Sequence, residues 1–124
     1  MRFPANLRYS KDHTWVRVGD GLATVGLTEF AQYELGEISS VRVNSTSHFL
    51  LRGQVFATIV AIAMELQLRL PVSGQMVEVN PLLQAAPGFI NKDPYGDGWI
   101  IRLQLAKEDE VNDLMPASVY MGGW

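Results

Sequence analysis

The groups in this 124-residue chain that could do chemistry are two histidines, His13 and His48, and thirteen carboxylates; there is no cysteine. A histidine works as a metal ligand or a general base only with partners at suitable spacing. Neither His13 nor His48 has a second ligand three or four residues away, so each reads as a satisfied structural or surface side chain. Paired carboxylates could act as general acid and base, but nothing in the spacing of Glu65, Asp93 and Asp97 brings two of them together. They read as solvated carboxylates in turns. The tripeptide Gly-Asp-Gly occurs at 19–21 and at 96–98, and a phosphate-cradling loop would have to lead into a helix. Neither copy does, so both read as tight turns. The expectation is of no enzyme, no catalytic residue and no metal site.

Composition narrows the class further. Hydrophobic residues make up 48% of the chain, enough for a real core at the length of one ordinary domain. The net charge is −3 and the ten Lys and Arg are scattered, which argues against nucleic acid and against a basic membrane surface. No apolar stretch approaches the ~20 residues that span a bilayer, and the start MRFPANLRYS lacks the apolar core of a secretory signal. Without cysteine there is no disulfide framework. The expectation is a single domain over residues 1–124 in the cytoplasm.

The elements that would position any site are mostly strands. HTWVRV (13–18) alternates polar and apolar residues, and LATVGL (22–27) returns after the glycine turn, predicting a hairpin. Thr28 is placed to cap a short helix, EFAQYEL, with its stop at Gly36. EISSVRV (37–43) predicts a strand, followed by the polar loop NSTSH. QVFATIVAI is continuously apolar, as in a strand covered on both faces. MELQLRL alternates, with Met64, Leu66, Leu68 and Leu70 on one face and Glu65, Gln67 and Arg69 on the other. GQMVEVN (74–80) and GWIIRLQL (98–105) add two strands, and helical turns are expected at 81–85 and 108–115. Many short strands joined by glycine turns imply a small β-sandwich or flattened barrel. Its expected core includes Trp15, Val25, Ile59, Leu68, Val77 and Ile101.

One hairpin draws attention. TIVAIAMELQLRLPVSGQMVEVN (58–80) places two strand-forming runs on either side of a point near Ala63. The tip Val60, Ile62, Ala63 and Met64 is more apolar than a solvated turn. Burying Ile62 and Met64 would be worth about 1.5–3 kcal/mol each, and methionine adapts readily to binding surfaces. An apolar protrusion implies a partner, self-association or burial in a cleft; alternatively, the hairpin folds down and completes the core.

Four stretches, in order, resemble the glycine cleavage system H protein family. YSKDHTWVRV with GDGLATVGLTEFAQYELGEI is similar to its opening Tyr-x-x-x-His-x-Trp strand, its Gly-Ile/Leu-Thr strand end and its helix ending in Leu-Gly-Asp/Glu-Ile. PVSGQMVEVN resembles its Pro-Val-Ser-Gly strand, INKDPYGDGWIIRL its Asn-x-Asp-Pro-Tyr-Gly-x-Gly-Trp turn, and DLMPASVY its Leu-Met-x-x-x-x-Tyr ending. The similarity covers roughly residues 8 to 120. It implies a mainly β barrel-sandwich hybrid, the lipoyl-domain fold: a flattened barrel of two antiparallel sheets with short peripheral helices.

The resemblance also implies a cofactor, lipoate, amide-linked to a lysine at the hairpin tip. The family's tip reads approximately Glu-Ser-Val-Lys-Ala-Ala-Ser-Asp, with the lysine eight positions before the shared proline. Here that position is Ala63; the family's glutamate falls on Val60 and its aspartate on Gln67. Alanine offers no amine, so the expectation is no lipoate and no aminomethyl carrier at this position. The other lysines, Lys11, Lys92 and Lys107, do not stand at a hairpin apex; Lys92 precedes an Asp-Pro turn and reads as a solvated surface residue. The resulting reading is a non-lipoylated H-protein-like binding or scaffold module. Its partners would be glycine cleavage or other lipoate-linked enzymes, or a second copy meeting the apolar hairpin. The alternatives are a functional carrier lipoylated at another lysine, or an enzyme on the same scaffold, which would need a polar pocket.

Overall fold

A computed structural model describes residues 1–44, 49–62 and 64–122. Its largest element is a 7-stranded antiparallel sheet. β1 (Arg8–Tyr9), β2 (Thr14–Gly19) and β3 (Leu22–Leu27) run side by side in it. β2 and β3 form a hairpin closed by Asp20 and Gly21, both at positive φ (54° and 77°), the backbone of a turn that matches the twist of its strands. The helix α1 (Glu29–Leu35) follows. Thr28 accepts the Ala31 N–H at 3.2 Å, and Gly36, at φ 77°, donates to the Gln32 carbonyl at 3.0 Å, so both ends are satisfied as the sequence predicts.

β4 (Ile38–Val43), β6 (Val55–Ala61) and β7 (Glu65–Arg69) form a second, 3-stranded sheet in the order β4-β6-β7, while β5 (Phe49–Leu50) belongs to the larger one. β8 (Gly74–Val79), α2 (Leu82–Ala85), α3 (Phe89–Lys92), β9 (Ile101–Leu105), α4 (Asp109–Asn112), β10 (Met115–Pro116) and α5 (Ala117–Gly122) complete the chain. The larger sheet has the order β10-β1-β2-β3-β9-β8-β5. The two sheets make the mainly β barrel-sandwich fold, closed over Val25, Leu27, Phe56, Ile59, Leu68 and Ile101.

One expected core residue needs correction. Val77 is 56% exposed and takes no part in the core. The register between β8 and β9 shifts between Met76 and Glu78; this bulge turns Val77 outward and leaves Met76 in the core position. Trp15 is fully buried, as expected of a core residue, in a second cluster with Leu7, Tyr9, Tyr95, Ala117 and Tyr120. The N-terminal segment and α5 cover that face, so β2 is buried on both sides at Thr14, Trp15 and Val16, while its far end from Val18 stays exposed. Lys92 is exposed at the last position of α3, because the extended backbone favoured before Pro94 ends the helix at Asp93. The helices at 81–85 and 108–115 are real but shorter, at four residues each.

The second cluster explains why the motif residues are where they are. Trp15 stands opposite Gly26 on β3, and a Cβ on Gly26 would lie 2.6 Å from the indole ring. The indole N–H donates to the Pro94 carbonyl at 2.9 Å, and Arg17 lies over the same ring at 5.1 Å. Asn80 donates to the carbonyls of Asp97 and Trp99 at 2.8 and 2.7 Å, pinning the 93–99 turn to the end of β8. Asp93 accepts the Asp97 N–H at 2.9 Å, the role of a turn carboxylate.

Candidate functional site

The β6–β7 hairpin is the most exposed apolar feature near a groove. The Ala61 N–H donates to the Met64 carbonyl at 2.9 Å and closes the hairpin. The Ile62 N–H donates to the Glu37 carbonyl at 3.1 Å, and the Ser39 hydroxyl to the Val60 carbonyl at 3.1 Å. The hairpin is therefore tied at its neck to the α1–β4 connection. Ile62 is 78% and Met64 52% exposed, while Val60 is half-buried and faces Glu65 across the ladder. Ile62 and Met64 do not complete the core. Ala63, expected at the apex, lies outside the described residues, as does His48.

Beside β7 runs a groove of about 520 Å³. One wall is Met64, Leu66, Gln67 and Arg69; the other is Lys11, Asp12, His13, Phe30 and Glu34. The sequence reading placed the strand residues but not the far wall, which comes from the β1–β2 connection and α1, elements distant in sequence from the hairpin.

His13 has the structural role expected of it. It sits at φ 67°, its Nδ1 is 2.7 Å from the Tyr120 hydroxyl, which is in turn 2.9 Å from Thr28 Oγ1. Its ring is 4.9 Å from Phe30. Burial pushes its pKa below the usual histidine value, against the opposing pull of Asp12 and Glu34. A histidine held neutral in the fold stabilises fully above its unfolded pKa of about 6.5 and loses that contribution as pH falls through the lower folded value. Melting temperature should therefore fall between neutral and mildly acidic pH, and the fall should be shallower in His13→Asn, whose side chain tolerates positive φ. Parallel pH–melting curves for the two proteins check this.

Elsewhere the chemistry stays sparse. Among the described residues no group of three or more His, Asp or Glu side chains could hold a metal, and no helix is long and apolar enough to cross a membrane. Lys92 lies 5.7 Å from the Phe89 ring, and Lys107 is exposed before α4.

The family's sequence model, described as Glycine cleavage H-protein, matches residues 7–122. The chain belongs to the glycine cleavage H-protein family. It is similar to the glycine cleavage system H protein of Salinibacter ruber, at 42% identity over 97% of each chain. It is also 40% identical to that of Bacteroides fragilis, over 97% of this chain and 95% of the other. The crystal structure of a glycine cleavage system H protein from Mycobacterium marinum superposes with a TM-score of 0.89 at 31% identity, covering 98% of both chains. The family and the relatives are named as H-proteins of glycine cleavage, not as enzymes. Of the motifs that carry the family likeness, the first, third and fourth supply Tyr9, Trp15, Tyr95, Ala117 and Tyr120 to the second cluster, and the first and second supply Val25, Leu27, Val72 and Met76 to the main core.

Proposed function

We propose that this H-protein is a non-lipoylated binding or scaffold module that has lost the carrier lysine. The observation that carries the reading is the residue eight positions before Pro71: it is Ala63, and no lysine occurs anywhere between Lys11 and Lys92. Lipoate is held through an amide to a primary amine. The hairpin offers Val60, Ile62 and Met64 around its tip, and Gln67 on the strand that returns. These side chains do not fit that group, because none of them offers a primary amine.

The exposed tip supports a contact role instead. Ile62 and Met64 form an apolar point on a hairpin whose neck is hydrogen-bonded in place, the kind of surface that gains by being covered. Partners of matching chemistry are the enzymes of glycine cleavage that dock carriers of this family, or a second copy of the chain. The alternative, a carrier lipoylated elsewhere, would require a ligase to read Lys11 at the groove wall, Lys92 at the end of α3, or Lys107.

Intact mass after co-expression with a lipoate ligase tests the reading. The expected mass is that of the bare chain. A lipoyl adduct mapped to Lys11, Lys92 or Lys107 would refute it. Replacing Ile62 and Met64 with serine should abolish capture of purified glycine cleavage enzymes or disperse an oligomer, with melting unchanged. If capture, sedimentation and melting are all unaffected, the tip is not a contact surface.

A further inference from the structure

Among the described residues β7 is an outer strand: it is bonded to β6 on one side and to no strand on the other. The hairpin closure between Ala61 and Met64 sets the phase of the ladder. With Ile59 opposite Leu66 and Ala57 opposite Leu68, the backbone groups of Leu66 and Leu68 turn toward β6. Those of Glu65, Gln67 and Arg69 turn toward the open edge. Such a row of free N–H and C=O groups is a template for another strand unless something blunts it.

The other outer strands are blunted. β5 and β10 have two residues each. β4 carries a bulge between Ile38 and Ser40 and has α2 packed against it. β7 is five residues long and lies beside a groove; the irregularity in its ladder to β6 falls on the β6 side, between Val55 and Ala57.

The occupant that complements this edge is the edge itself. Read antiparallel about Gln67, the sequence Glu-Leu-Gln-Leu-Arg places Glu65 opposite Arg69, Leu66 opposite Leu68, and Gln67 opposite its own copy. Glu65, Gln67 and Arg69 are all exposed on one face. A two-fold axis through Gln67 would therefore pair each carboxylate with the other chain's guanidinium. Arg69 already donates one N–H to the Gly53 carbonyl at 3.0 Å, and its guanidinium has further donors to offer.

We propose that two copies of this chain associate through β7, joined antiparallel about Gln67 into one continuous sheet. The proposal rests on the reading of the hairpin as a contact surface and names its occupant. It is an isologous contact, the kind on which closed two-fold dimers are built.

Sedimentation of the full chain over a concentration series reaching the millimolar range tests it. The wild type should show a monomer–dimer equilibrium. Gln67→Pro should leave a monomer throughout, because it removes an N–H that faces the open edge and spares the ladder to β6. Glu65→Arg or Arg69→Glu alone should weaken the dimer by about 2- to 30-fold, since each disrupts two symmetry-related pairs. The double reversal Glu65→Arg with Arg69→Glu should restore it, a result that misfolding cannot mimic; circular dichroism verifies that each variant is folded. A wild type that stays monomeric, or a dimer indifferent to Gln67→Pro and to both reversals, overturns the pairing. In either case, loss of enzyme capture on Ile62→Ser with Met64→Ser would still uphold the contact surface, so the two failures are distinguishable.

Discussion

Trp15→Ala should cost about 3–5 kcal/mol, the usual range for emptying a buried tryptophan site, and lower the melting temperature by about 10–20 °C for a domain of this size. The indole is fully buried, packs over Gly26 where no Cβ could fit, and donates to the Pro94 carbonyl at 2.9 Å. Alanine leaves a void between the 93–99 turn and β3, and strips the Pro94 carbonyl of its donor. Gly26 cannot fill the space, because strand pairing holds its backbone on both sides, against Trp15 on β2 and next to the residues bonded to β9. Trp15→Phe keeps most of the apolar contact and loses the hydrogen bond, so its cost should be smaller, about 1–3 kcal/mol. Denaturant unfolding of the three proteins measures both losses. Near-equal stability of wild type and Trp15→Ala would show that the second cluster contributes little to the fold.

The second large effect is a gain of modification. On the proposed reading the wild type gains no lipoyl mass from a lipoate ligase, and Ala63→Lys supplies the missing amine. That change alone should be modified weakly, because Val60 still presents no carboxylate to an enzyme that recognises the hairpin surface. Val60→Glu with Ala63→Lys should be modified more fully. The register adds a complication: Val60 faces Glu65, and like charges directly opposite on a ladder destabilise. The double variant should therefore melt below the single one, and adding Glu65→Ala should recover the loss while keeping the modification. Intact mass and melting curves on this series decide it. If Ala63→Lys and both combined variants stay unmodified, the loss of carrier function lies in more than the missing amine.

The sequence carried the local architecture and the family because both depend on short-range chemistry. Asp20–Gly21 supplies the two positive-φ residues that a tight hairpin requires, and Thr28 and Gly36 stop α1 at both ends. The Lys92–Trp99 stretch is legible because its residues answer one another within a few positions, as Asp93 does Asp97. The residue type at position 63 is likewise a matter of sequence alone, as is the lack of any lysine between 11 and 92. What only the tertiary structure decided is which surfaces meet. Alternation predicted a half-buried β2, yet Leu7, Ala117 and Tyr120 arrive from both ends of the chain to cover Trp15. A bulge against β9 turned Val77 out, although its own segment alternates as a core strand should. The far wall of the groove comes from Asp12, Phe30 and Glu34, more than thirty residues before β7 in the chain. Whether Ile62 and Met64 fold inward or stand in solvent, and whether the β7 edge is covered, depends on neighbours brought together by folding. No periodicity within the hairpin could encode them.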